Sequence, residues 1–240
     1  MSNLYTDFNL LSNRLFPRIL TQVCRDKYSS VYGSFDRNWW HYKIRDFSSI
    51  ILQQGAYSLY CYLKNNKGKI SEESILELIK GSSSFWNTQA KRYGAFEEYY
   101  PWEKGYPPLA FSTLSIAKLV DEEVVKLETV YDGLKIASNQ LLKRFESEAA
   151  NQQVAGLAAL SFIKKIDSTL IDELVFCKLS HSTLSLQNNE GWFFEYGGPD
   201  LGYLSVTLDC LWDLFDATGD FKYINSASKA IDFIYKITSV

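Results

Sequence analysis

The acidic and aromatic side chains of residues 190–203 have the types and spacing that most favour catalysis in this chain. Glu195 and Asp200 lie in a glycine-rich stretch, where two carboxylates could act as acid and base on a glycosidic bond. Tyr203 and Tyr196 are further candidate proton donors or acceptors. In a second interpretation, the Gly-Gly-Pro run only reverses the chain and Asp200 caps the next helix. The sequence leaves both interpretations open.

Aromatic side chains in the same stretch offer flat faces to a sugar ring. Trp192 and Tyr196 are the candidate substrate-binding residues here. The neighbouring glycines would let a ligand approach the backbone closely. Because binding residues are often carried by loops on a rigid scaffold, this stretch is a candidate wall of a binding cleft.

A second group of reactive side chains lies between Asp36 and Asp46 and contains one of the two histidines. His41 could act as a general acid or base near neutral pH. Its neighbours include cationic, amide and aromatic candidates for binding a substrate: Arg37, Asn38, Trp40 and Arg45. In the structural alternative, Arg45 pairs with Asp46 and His41 packs or caps a helix.

A third aromatic group lies in residues 85–108, where prolines fix the backbone beside large rings. Its candidate substrate-binding residues are Trp102, Glu103 and Tyr106. The group could form a platform on which sugars stack. It could equally form a hydrophobic plug on the end of a helical array.

The composition argues against several classes of protein. With 240 residues, of which 46% are hydrophobic, the chain can bury a substantial core. The net charge of −3 and the lack of a basic block argue against nucleic acid and anionic membranes as partners. Four scattered cysteines and two histidines form no metal-binding pattern, and no nucleotide motif occurs, so we expect no cofactor.

The location of the protein is predicted from two further patterns. The first residues lack the basic region and apolar run of a signal peptide. No stretch reaches the roughly 18 apolar residues that a membrane span requires. We therefore expect a cytoplasmic protein without a membrane span, whose thiols are reduced.

Helices must position these candidate residues, because apolar residues recur at helical spacing and the alternation typical of strands is nearly absent. Three helix pairs are predicted to start near residues 107, 151 and 202. Such repetition predicts an all-α helix-hairpin array, either an (α/α) toroid or a partial toroid. No linker divides residues 1–240, so we expect a single domain.

Two local predictions follow from the same pattern. Ser71 is the predicted N-cap of a helix that Gly81 is expected to end. The aromatic loops at residues 32–42, 86–106 and 181–203 each precede a predicted inner helix, so they should gather at one end of the array.

Several of these segments together resemble the helical-toroid part of heparinase II/III-like proteins, and most closely uncharacterised relatives associated with bacterial surface-polysaccharide synthesis. The likeness is patchwise and is carried by residues 36–46, 150–153, 190–203 and 218–220. It implies a carbohydrate ligand, often an acidic polysaccharide. The lyases of that family also have a β-sandwich domain after the toroid, and the sequence predicts none in these 240 residues.

The resemblance also implies roles for particular residues. In the family's lyases a Tyr or His removes the proton beside a uronate carboxylate, which Asn, Gln or Arg neutralises. The nearest candidates in this chain, by local likeness, are Asn38, His41, Arg45 and Tyr203.

The function expected from the sequence is a carbohydrate-active protein that binds an acidic or amino-sugar polysaccharide and cleaves or modifies it as a lyase or glycoside hydrolase. The first alternative is a non-catalytic glycan-binding or assembly module, for which a second copy or a partner domain could complete the cleft. A weaker alternative is a cyclase-like toroid with an apolar substrate.

Overall fold

A computed structural model describes residues 2–35, 49–66 and 70–238 of the chain. Within these residues the backbone forms nine α-helices, and β structure is limited to isolated bridges. The helices are α1 (Ser2–Gln22), α2 (Gly55–Asn65), α3 (Glu72–Tyr93), α4 (Tyr106–Asp121), α5 (Leu127–Leu141), α6 (Ala150–Ile166), α7 (Glu173–Leu184), α8 (Leu201–Thr218) and α9 (Phe221–Thr238). Short 3-10 helices precede α2 (Ile50–Gln54) and follow α6 (Ser168–Leu170). The all-α prediction is confirmed.

The helices pack as an array of hairpins, an arrangement consistent with a partial toroid. The inner helices α4, α6 and α8 pack side by side, and α2 with its 3-10 segment packs on α4. The outer helices α5, α7 and α9 follow the inner helices α4, α6 and α8 in the chain. The outer helix α3 follows α2 and also packs on α5. A groove lies between helices α2 and α8.

Helix α6 lies at the centre of the inner layer because its side chains are small. Residues 153–163 are all buried, and four of them are alanine or glycine between Ala155 and Ala159. Small side chains let neighbouring helices approach closely, so α6 can contact both α4 and α8. Helix α6 is therefore a close-packed inner helix.

The end of helix α3 differs from the sequence prediction. The Ser71 hydroxyl accepts a hydrogen bond from Ser74 N, as predicted for an N-cap. Gly81 does not end the helix, which continues to Tyr93 and stops at Gly94 in the left-handed conformation. Gly81 instead provides space for the ring of Tyr32, since a Cβ there would lie 2.6 Å from Tyr32 Cε1. The glycine serves packing between segments, and it does not break the helix.

No helix among the described residues is both long and apolar enough to cross a lipid bilayer.

Candidate functional site

The loop between α7 and α8 is attached to the first turn of α6. Ala150 N donates to Phe194 O, and Tyr196 N donates to Glu148 O at 2.6 Å. A β-bridge joins Ala149 to Glu195. These main-chain contacts fix the loop that carries two of the residues predicted to act on a substrate.

Glu195 is held at the start of α6 by one oxygen of its carboxyl group. Asn151 N donates to Glu195 Oε1 at 2.7 Å, which supplies an N-terminal acceptor that the N-cap residue Ala149 lacks. The other oxygen, Oε2, is buried and has no hydrogen-bond partner, and the side-chain oxygen of Asn151 is in the same state. Glu195 is only 5% exposed. The carboxyl group therefore stabilises the helix end while one of its oxygens stays unsatisfied.

The environment of Glu195 changes its acidity. Burial raises the pKa of the Glu195 carboxyl to about 7, which the hydrogen bond from Asn151 N partly opposes. The charges of Asp200 and Glu146 raise the pKa further. A proton on Oε2 would turn an unsatisfied acceptor into a donor, and this agrees with a group that prefers its neutral form.

An open groove of about 520 Å³ lies beside this loop, at the N-terminal ends of α4, α6 and α8. We call it the mouth groove, and its lining residues are Ile51, Gln54, Glu98, Tyr99, Pro107, Phe111, Asn151, Gln152, Tyr196, Tyr203 and Val206. The rings of Tyr196 and Tyr203 lie 6.1 Å apart at an angle of 60°. Gln152 Nε2 donates to the Tyr196 hydroxyl at 2.9 Å. Exposed aromatic rings thus surround polar side chains in one concave surface.

The predicted residues of the α7–α8 loop divide into two groups. Tyr196 and Tyr203 line the mouth groove, whereas Glu195 and Asp200 are not among its described lining residues. Asp200 Oδ1 accepts from Tyr203 N at 2.8 Å, so Asp200 is the N-cap of α8, as the structural interpretation of the sequence expected. Trp192 is partly buried against the core, and its Nε1 donates to Glu190 Oε2.

The candidate residues of the third aromatic group, in residues 85–108, mainly stabilise the loop between α3 and α4. Glu103 Oε2 accepts hydrogen bonds from the backbone N–H groups of residues 98, 99 and 100, which lower the pKa of its carboxyl. Trp102 is exposed with φ at 70°, and its backbone N–H donates a hydrogen bond to Glu97 Oε1. Tyr106 is buried and donates to Gln153 Oε1 at 2.9 Å. In this loop only Glu98 and Tyr99 line the mouth groove.

The second group of candidate residues, between Asp36 and Asp46, lies outside the described residues. It comprises Arg37, Asn38, Trp40, His41 and Arg45. Their roles in proton abstraction and carboxylate binding stay predictions.

The sequence interpretation missed a buried ion pair in the inner layer. Lys118 Nζ on α4 lies 2.5 Å from Asp213 Oδ1 on α8, with the two side chains only 16% and 7% exposed. Lys118 also lies 4.4 Å from the centroid of the Tyr57 ring. Burial raises the pKa of Asp213, and Lys118 opposes that change. The partners are 95 residues apart, so no local pattern could have paired them.

This ion pair lies on the floor of a larger groove of about 700 Å³ between α1, α2, α4 and α8. We call it the acidic groove, and its lining residues are Phe8, Leu11, Ser12, Leu15, Phe16, Ile19, Tyr57, Ser58, Cys61, Tyr62, Lys118, Glu122, Asp209, Trp212, Asp213 and Asp216. A signal was present in the sequence: Asp209, Trp212 and Asp216 recur at the spacing of one helix face.

Within the described residues, no group of three or more His, Cys, Asp or Glu side chains could hold a metal ion. Comparisons with protein-family models, with curated proteins and with solved structures find no match to this chain. The likeness to heparinase II/III-like proteins therefore stays a prediction.

Proposed function

We propose that the chain binds an oligo- or polysaccharide in the mouth groove. The observation that carries the proposal is the arrangement of Tyr99, Tyr196 and Tyr203, which are all exposed and line one groove. The apolar faces of sugar rings stack on exposed aromatic rings, and a concave site buries more of each ring than a flat surface does.

Polar side chains at the floor of the mouth groove support a carbohydrate over a purely apolar ligand. Gln54 and Gln152 present amide groups there, and amides both donate to and accept from sugar hydroxyls. Gln152 already donates to the Tyr196 hydroxyl, which fixes the orientation of that ring. A preorganised ring loses little rotational freedom when a ligand stacks on it, and this favours binding.

Binding, without a catalytic step, is the function that the described residues support best. Asp200 is engaged as a helix cap, and Glu195 is buried outside the groove lining. Neither carboxyl group therefore faces a sugar in the mouth groove in the way that a general acid or base must. Cleavage by the lyase route depends on Asn38, His41 and Arg45, which lie outside the described residues, and on Tyr203, which lines the mouth groove. The heparinase-like relationship is part of the same prediction.

Calorimetric titration with neutral, cationic and anionic oligosaccharides tests the proposal. Tyr203→Ala should weaken binding of the best ligand by roughly tenfold, the scale of one lost stacking contact. Tyr28→Ala is the control, because Tyr28 is fully exposed and lies outside the groove. The absence of binding to every class, or equal binding by both variants, would sink the proposal. New reducing ends or ultraviolet absorbance in the same mixtures would reveal cleavage.

A further inference from the structure

The acidic groove has an apolar wall that is independent of the mouth groove. Phe8, Leu11, Leu15 and Ile19 project from one face of α1, as their helical spacing requires. Phe8, Leu11 and Leu15 each keep about half or more of their surface exposed. This face therefore leaves apolar surface in contact with solvent inside a concave site, where an apolar ligand group would cover it.

The opposite wall is a stripe of aromatic and acidic side chains on α8. Trp212 is 59% exposed, with Asp209 about one turn before it and Asp216 about one turn after it. The two carboxylates are separated by about 10 Å along the helix axis, with the indole ring between them. An exposed indole beside carboxylates is the environment that attracts an organic cation.

The charges in the acidic groove are not balanced. Asp213 is paired with Lys118, and Glu122 is paired with Lys64 at 2.8 Å. Among the described residues, Asp209 and Asp216 have no ion-pair partner. Within the part of the chain that the structure describes, the groove therefore has two uncompensated negative charges and an apolar wall, a combination that repels an anionic ligand and attracts a cationic one.

We propose that the acidic groove binds an organic ammonium ion that carries an apolar chain or ring. The ammonium group lies over Trp212 between Asp209 and Asp216, and the apolar part covers the α1 face. A volume of about 700 Å³ is within the range that holds small organic ligands. The acidic groove and the mouth groove share no described lining residue, so the inference is independent of the proposed function.

A matched series of ligands with one alkyl chain tests the charge preference. Calorimetry is used to measure the binding of octylammonium, 1-octanol and octanoate below the concentrations at which they aggregate. We expect octylammonium to bind roughly tenfold more tightly than 1-octanol, as two exposed ion pairs and one cation–π contact allow, and octanoate to bind most weakly. Equal affinities for the three head groups would overturn the proposal.

Substitutions then assign the preference to the two walls. Asp209→Asn with Asp216→Asn should remove most of the roughly tenfold preference for octylammonium over 1-octanol, leave the small remainder that the cation–π contact with Trp212 supplies, and leave 1-octanol affinity unchanged. Leu11→Gln with Leu15→Gln should weaken all three ligands. Asp232→Asn on α9 is the control, because it removes one exposed negative charge outside the groove. An undiminished cation preference in the double Asn variant would contradict the site, provided that circular dichroism shows the native helical content.

Discussion

Replacing Glu195 with glutamine should make the protein more stable at alkaline pH. Glutamine keeps an oxygen that accepts from Asn151 N, and it replaces the unpartnered Oε2 with a neutral donor group. The variant thus resembles the protonated form of Glu195. Because the pKa of Glu195 is raised from 4.5 to about 7, the folded wild-type protein holds a proton that the unfolded chain releases.

The sign and the size of the effect follow from this difference in pKa. The stability associated with protonated Glu195 is fully present below pH 4.5 and is lost as the pH rises through about 7. A difference of this size corresponds to about 3 kcal/mol at most. We therefore expect the Glu195→Gln variant and the wild type to be similarly stable near pH 4.5, and the variant to be up to about 3 kcal/mol more stable near pH 8.

Urea denaturation followed by circular dichroism between pH 4.5 and 8.5 measures the difference. Glu190→Gln is a matched control, because Glu190 is an exposed acid in the same loop and an amide oxygen can still accept from Trp192 Nε1. Its substitution should change the free energy of unfolding by less than about 0.5 kcal/mol at each pH. An equal pH dependence in the wild type and the Glu195→Gln variant would refute the account of this carboxyl group.

Three further pairs of substitutions test the structural roles of other residues, with the free energy of unfolding measured by chemical denaturation. Lys118→Met should lower the free energy of unfolding by about 3 to 5 kcal/mol, because it leaves Asp213 buried without its partner. Adding Asp213→Leu should recover most of that loss. If the losses of the two single variants simply added in the double variant, the ion pair would not have the proposed role. Asp200→Ala should lower the free energy of unfolding by about 1 kcal/mol because it removes the N-cap of α8. Asp200→Asn should lower it less, since asparagine also caps helices. Equal losses in the two variants would argue against the cap. Gly81→Ala should lower the free energy of unfolding by about 1 to 3 kcal/mol despite the higher helix propensity of alanine, because the added Cβ meets the Tyr32 ring. In a Tyr32→Leu background the same substitution should cost less. An equal cost in both backgrounds would contradict the ring contact.

The sequence predicts those parts of the fold that depend on local patterns. The burial of the small residues of α6 follows from their helical spacing, and the N-cap role of Asp200 follows from its side-chain chemistry. The structure shows both. Gly81 was misjudged because a glycine that breaks a helix and one that admits a neighbouring ring look alike in sequence. The contact with Tyr32 crosses about 50 residues, which no local rule includes.

The candidate site was only partly predictable for the same reason. Tyr196 and Tyr203 were found from the composition of their loop, and both line the mouth groove. The burial of Glu195 depends on the docking of that loop against α6, which is a tertiary contact. Lys118 and Asp213 meet across two inner helices, so their pairing also required the packed structure.

Nuclear magnetic resonance of the labelled protein tests most directly whether a sugar chain binds in the mouth groove. Titration with the tightest-binding oligosaccharide should shift the side-chain amide signal of Gln152 and the backbone amide signals of Tyr99, Tyr196 and Tyr203, because these residues line the groove. The signals of Tyr28, which is fully exposed elsewhere, should stay in place. Shifts confined to residues outside the mouth groove, with the Gln152 and tyrosine signals unchanged at saturation, would contradict the claim.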